Sequence, residues 1–358
     1  MRAPTDDLTR SFLDLWWHFD PVAATLRGLP EHDGRWAPWD DAGTREHAAA
    51  LRAIAGAAED LDVEDLADEI DRTALLDHLR VQIFRLEHER PQVRNPALWV
   101  EHACLGLYAL LARPADGATA AAALARLAGL PGFFAAARET IREPPLLLVE
   151  AALAELDGLA PLVEACGRRF ATGWSAAGED AATVLSEAEV AVDRLRLALR
   201  TEIAPHPEPS AVAIGEAEMD RRLHHEHASR HNAAELWRSA NRFAAEAERE
   251  VIAAAAAVEP GRPWRDVYES VRDEGIVTDD LIAVWDRAVE AAAAHALRSG
   301  LAPDGMPSLA ATEAPAFAMV LEPVADYLSA GVSGTPTALL SAPAEVADAP
   351  TADWYRGE

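Results

Sequence analysis

The sequence predicts an all-α protein, a multi-helix array that ends in an irregular, Pro/Gly-rich C-terminal tail. Three observations carry this. Apolar residues recur at helical spacing from the N-terminus to about Leu297. Asp, Asn or Thr caps and prolines punctuate that pattern at helix-sized intervals. Beyond Gly300 the spacing is broken repeatedly, at Pro303, Gly305, Pro307, Pro315, Pro323, Gly331, Gly334 and Pro336.

In chain order, Thr5 with Asp6 and Asp7 starts a first helix, whose stripe is Leu8, Phe12, Leu15, Trp16 and Phe19. Asp20-Pro21 ends it, because a residue before proline is pushed out of the helical region. Residues 28–43, GLPEHDGRWAPWDDAG, form a loop in which Trp36 and Trp39 are expected to pin the chain to the helical body. Two helices follow, the second spanning Leu61 to Arg90 and stopped by Pro91. Asn95-Pro96 opens residues 97–142, read as three short helices broken at Arg113-Pro114 and at Gly129-Leu130-Pro131-Gly132. Pro144-Pro145 opens another helix to about Arg169, kinked near Gly158 and Pro161, and Glu179 to Ile203 is a strong amphipathic helix.

The connector APHPEPS, Ala204 to Ser210, divides the helices. Later helices are expected at Ala233–Val258, Trp264–Asp273 and Thr278–Leu297. The predicted organisation has an N-terminal helical region over residues 1–204 and a second helical region over residues 205–300 packed on the first. Residues 301–358 form a tail with short strands such as Thr337 to Ser341.

Composition excludes several function classes. The chain has 358 residues, half of them hydrophobic, and a net charge of −28. All 32 basic residues are arginine. So acidic a surface repels phosphates, and no basic stripe marks a nucleic-acid or anionic-membrane interface. Cys104 and Cys166 sit in apolar helical patterns and read as buried free thiols. The start MRAPTDDLTR lacks the apolar core of a secretory signal, and no apolar run approaches the length of a bilayer span. A cytoplasmic protein is expected.

Four of the twelve histidines fall between Ala213 and Trp237. On one continuous helix, His224, His227, His231 and Glu235 would share a face at i, i+3, i+7 and i+11, a donor set suited to zinc. Two features oppose that site. Asn232 with Glu235 reads as a capping box that starts a new helix, leaving His231 outside it. Arg221, Arg222 and Arg230 also place positive charge among the histidines. An H-E-x-x-H motif is absent, because His225-Glu226 and His88-Glu89 both lack the second histidine. Walker, G-x-G-x-x-G and G-x-S-x-G motifs are absent too. No catalytic residue and no cofactor is predicted, zinc entering only with the histidine cluster.

Several segments, FLDLWWHFDPVAATLRGLPEHDGRW, ERPQVRNPALWVEHACLGLYALLARP and RLAGLPGFFAAARETIREPPLLLVEAAL among them, resemble the bacterial domain-of-unknown-function family eight-eight-five. AIGEAEMDRRLHHEHASRHNAAELW, PGRPWRDVYESVRDEG and EAPAFAMVLEPVADY continue the likeness over nearly the whole chain. The resemblance implies a helical, zinc-metallopeptidase-like fold whose H-E-x-x-H helix lies in a C-terminal portion. That motif has no counterpart here, so the expectation is a non-catalytic relative or half-molecule. Such a chain would bind a peptide-like ligand or a partner, either a separately encoded zinc-bearing half or a second copy. Two further readings stand beside it. One is a metal-dependent hydrolase built on His224, His227 and His231. The other is a helical scaffold or small-ligand binder that uses Trp16, Trp36 and Trp39.

Overall fold

The computed structural model describes residues 4–63, 65–177, 180–208, 212–273, 281–303, 305, 309–313, 325–328 and 337–340. The fold class is all-α, with one small sheet near the C-terminus. The chain divides into two units, one holding Met1–Ala228 and the other beginning at Ser229.

In the first unit, α1 (Pro4–Phe19) carries Asp6 and Asp7 in its first turn, where carboxylates oppose the helix dipole. Asp20 ends α1, and its carboxylate then caps α2 (Pro21–Leu26), accepting from the Ala23 amide at 2.9 Å. One residue thus serves two helices, where the sequence had shown only a stop. A loop with a short 3-10 turn at Pro30–His32 leads to α3 (Asp41–Glu59), capped by Asp40. A Cβ on Gly43 would lie 2.2 Å from the Pro38 carbonyl oxygen, so that entry into α3 requires glycine.

α4 is shorter than expected. It spans Leu66–Phe84, because Asp65 caps it by accepting from the Asp68 amide at 2.9 Å. It passes into a π-helical turn, Arg85–Glu89, closed by Arg90 in the left-handed region at φ 51°. The one-turn α5 (Pro91–Arg94) and the nearly all-buried α6 (Pro96–Leu111) follow.

The break expected at residues 129–132 does not occur: α7 runs unbroken over Gly117–Thr140 through Pro131. An interior proline costs about 3 kcal/mol. Leu127, Leu130, Phe133 and Phe134 are buried on the same helix, and each fully buried side chain of this size contributes about 1.5–3 kcal/mol, so packing prevails. α8 (Leu146–Ala177) likewise continues past Gly158 and Pro161. α9 (Ala181–Thr201) completes a bundle in which α6 packs on α8, α7 on α9, and α8 on α9. Trp99, Phe134, Phe170 and Trp174 fill its centre. By length and composition α7 suffices to cross a membrane, but its apolar face is occupied by α6, α8 and α9, as in a core helix. Cys104 and Cys166 are buried free thiols, each pushed up to about 12 by burial.

α10 (Glu216–His225) returns to pack on α4. The guanidinium of Arg221 stands 3.6 Å over the Phe84 ring, Arg222 pairs with Glu89, and His225 Nδ1 lies 2.9 Å from Asp77 Oδ1. These contacts move the division of the chain from the expected 204/205 to Ala228/Ser229. Residues 209 and 210 of the APHPEPS connector lie outside the described residues.

In the second unit, α11 (Ala233–Val258) starts on the expected capping box of Asn232 and Glu235 and packs on α12 (Trp264–Asp273). α13 covers Leu281–Arg298; its expected start at Thr278 lies outside the described residues. Three strands, β1 (Ala310–Glu313), β2 (Ala325–Leu328) and β3 (Thr337–Leu340), pair in the order β1-β3-β2. β3 is the strand expected from Thr337, parallel to β1 and antiparallel to β2. The rest of the expected tail, 341–358, lies outside the described residues.

Candidate ligand-binding site

The two loop tryptophans do anchor the chain. Trp36 Nε1 donates to the Arg126 carbonyl at 2.8 Å, and its ring stacks on Phe133 with centroids 5.1 Å apart. Glycines at 106 and 129 make room, since a Cβ on either would come within 3.0 Å of the indole. Trp36 is therefore a packing residue. Trp39 is 5% exposed, sits 4.3 Å from the His102 ring and meets Trp99 edge-on at 5.5 Å. Unlike Trp36, its Nε1 is buried without a hydrogen-bond partner.

Trp39 also lines a cavity of about 170 Å³ in the first unit. Trp16 and Phe19 reach it from α1, Trp39 from the loop, His47 from α3 and Gln92 from α5, with Asp20 at the α1–α2 junction. Three of the residues that line it each keep one buried polar atom without a partner: Trp39 Nε1, His47 Nδ1 and Gln92 Oε1. Buried polar groups are nearly always hydrogen-bonded, and each orphan costs about 1–3 kcal/mol. Three around one cavity mark a place shaped for something that hydrogen-bonds.

Burial is the largest influence on the titratable groups around the cavity. Burial and the nearby His18 hold His47 down at about 4, so its imidazole is neutral near pH 7 and offers one donor and one acceptor. Its ring stacks flat on Phe19 at 3.8 Å. Burial raises the Asp20 carboxyl above its ordinary value, against the lowering effects of the Ala23 amide and Arg126. His102 is held down to about 3, first by burial and then by Arg126.

A second cavity of about 530 Å³ adjoins the first, and Leu86 and Gln92 line both. Residues of the π-helical turn line both cavities and left-handed Arg90 lines the larger, conformations that concentrate at functional sites.

The histidine stripe does not form. α10 ends at His225, Ala228 turns at φ 48°, and α11 begins only at Ala233, so the residues from His224 to Glu235 are not one helix. His224 and His227 are exposed, and the Glu235 side chain is engaged by the Asn232 amide in the capping box, with His231 Nδ1 3.4 Å away. Among the described residues no three His, Cys, Asp or Glu side chains gather as a metal site. Of the ligand residues expected from sequence, the structure brings Trp16 and Trp39 to one cavity and places Trp36 in the packing beside it. Asp20, His47 and Gln92 carried no signal, since each looks locally like a helix-end or helix-surface polar residue.

Comparisons with known proteins agree with this architecture. The family described as "Bacterial protein of unknown function (DUF885)" matches residues 21–352. A solved structure titled "The structure of a putative lipoprotein of unknown function from Shewanella oneidensis." is similar in fold, with a TM-score of 0.65 at 16% identity, covering 99% of this chain and 67% of that one. No curated protein matches. With a match over more than nine-tenths of its length, the chain belongs to the bacterial family of unknown function DUF885.

Proposed function

We propose that this chain is a binding protein for a peptide-like ligand, and that the 170 Å³ cavity takes one of the ligand's side chains. The observation that carries this reading is that three residues lining one aromatic-walled cavity, Trp39, His47 and Gln92, each keep a polar atom unpartnered: Nε1, Nδ1 and Oε1. A donor and an acceptor match the carbonyl and N–H of an amide, while Trp16 and Phe19 supply apolar contact. An engineered apolar cavity of about 150 Å³ accommodates benzene, so the volume suits a leucine- or phenylalanine-sized group.

The test is saturation-transfer NMR with N-acetyl-L-phenylalanine amide. Binding is expected in the millimolar range or tighter, and Gln92→Leu is expected to weaken it at least about fivefold, near 1 kcal/mol, by removing one hydrogen bond. Equal binding by the variant, or none by the parent, would refute the reading.

A partner chain is a second reading, supported by the exposure of Trp237, Phe243 and Val258 on α11. The occupant proposed is a zinc-bearing chain, which would supply the catalytic motif that this sequence lacks; a second copy is the competing outcome. Light scattering over a hundredfold concentration range separates them, because only a second copy makes the mass rise with concentration.

A further inference from the structure

The larger of the two cavities has a different character from the smaller. Its wall carries Arg45 on α3, Arg52 two turns further along, and Arg90 at the end of the π-helical turn. Two carboxylates also face it, and both are engaged: Asp41 with Arg142 at 3.4 Å, and Glu87 with Arg52. Arg45 and Arg90 have no carboxylate among the described residues. The cavity is thus locally cationic in a chain of net charge −28, where an unpaired pair of guanidinium groups in one concavity runs against composition.

A second observation points to what the cation pair meets. Gln92 is 5% exposed and lines both cavities. Its backbone carbonyl is fixed by Trp99 Nε1 at 2.9 Å, yet its side-chain Oε1 is unpartnered. The residue that keeps this unused acceptor therefore lines the same cavity as the two arginines. In an N-acyl amino acid or the last residue of a peptide, the amide N–H and the carboxylate are attached to the same carbon, and the side chain branches from it.

We infer that the larger cavity is the carboxylate subsite of the same ligand: Arg45 and Arg90 hold a terminal carboxylate, Gln92 Oε1 accepts the adjoining N–H, and the side chain enters the aromatic cavity. The substrate class is then a peptide with a free C-terminus, or an N-acyl amino acid. The inference rests on the binding reading above and narrows it. Arginine suits the task because its planar fork matches a carboxylate and stays charged at every physiological pH.

The experiment compares N-acetyl-L-phenylalanine with its amide on the full chain, by saturation-transfer NMR and calorimetry, with inorganic phosphate as a third probe. The acid is expected to bind about tenfold tighter than the amide, the scale of one charge-assisted hydrogen bond. Arg45→Gln with Arg90→Gln should remove that preference while leaving amide binding unchanged, and 0.5 M salt should shrink it. Both arginines are exposed, so the double variant is expected to keep its melting temperature. Equal binding of acid and amide would overturn the subsite and leave the side-chain cavity standing. Phosphate displacing the acid with the same arginine dependence, where the acid is no better than the amide, would overturn the carboxylate assignment in favour of a phosphoryl ligand. Failure of both acid and amide to bind would refute the binding reading itself.

Discussion

Trp36 is bound to Arg126 twice over: its indole N–H donates to the Arg126 backbone carbonyl at 2.8 Å, and the Arg126 guanidinium stands 5.4 Å from its ring centroid. Arg126 is fully buried, donating to the Gly106 carbonyl and to Thr25 Oγ1 at 2.7 Å. The loop, α2, α6 and α7 are therefore tied through one side-chain pair, and Trp39 and its cavity are positioned by that tie.

Trp36→Phe removes the second hydrogen bond of the Arg126 carbonyl, which keeps its place in the α7 backbone ladder, and part of a packed ring. A loss of about 2–4 kcal/mol is expected, combining a lost hydrogen bond with a small cavity and an indole-shaped gap beside Gly106 and Gly129. Urea denaturation measures it. Trp237→Phe, at a residue 71% exposed, should change stability by less than about 0.5 kcal/mol.

Arg113 and Asp33 form an ion pair in which both residues are buried, and Arg113 also donates to the Thr25 carbonyl at 2.6 Å. Arg113→Leu strands the Asp33 carboxylate and should cost about 3–5 kcal/mol. Adding Asp33→Asn should recover part of that loss. A double-mutant cycle by chemical denaturation gives the coupling, and strict additivity would show that the pair is not acting as one.

Glu155 is raised to about 7, chiefly by burial and then by Glu101. The folded state therefore holds a proton that the unfolded chain releases near pH 4.5. Its stabilising effect is complete below that pH and is lost as pH rises through 7. Glu155→Gln should raise stability at pH 8 by about 1–2 kcal/mol, the shift being discounted for partial solvent screening, and leave it unchanged at pH 4.5. Equal effects at both pH values would contradict the assignment.

His47 and His102 move the other way, being held near 4 and 3 by burial. The unfolded chain takes up their protons first, so the stability tied to their neutral rings is present above pH 6.5 and lost as pH falls towards these values. NMR should find neither ring titrating between pH 8 and 5. A midpoint above 6 for either would show that it is solvated.

Asn232→Ala removes the side chain that accepts from the Glu235 amide at 2.9 Å and should destabilise the start of α11 by about 1 kcal/mol. Hydrogen exchange should quicken in the first turn of α11 and leave the amides of α6 and α8 unchanged.

The sequence by itself determined the elements whose signals are local. The ends of α11 and α12 follow from Asn232, Pro260, Gly261 and Pro263, because a cap or a proline acts on its own turn whatever surrounds it. The same cap ruled His231 out of the preceding helix. Tertiary structure decided the rest. Burial of the α7 apolar face carries that helix through Pro131, where local rules predicted a break. The return of α10 onto α4 set the unit boundary at Ala228. The cavity joins Trp16, Trp39, His47 and Gln92 from four separate segments. Helical periodicity registers neighbours three or four residues apart, so which distant polar side chains meet, and which of their atoms stay unpaired, is settled only when the helices pack.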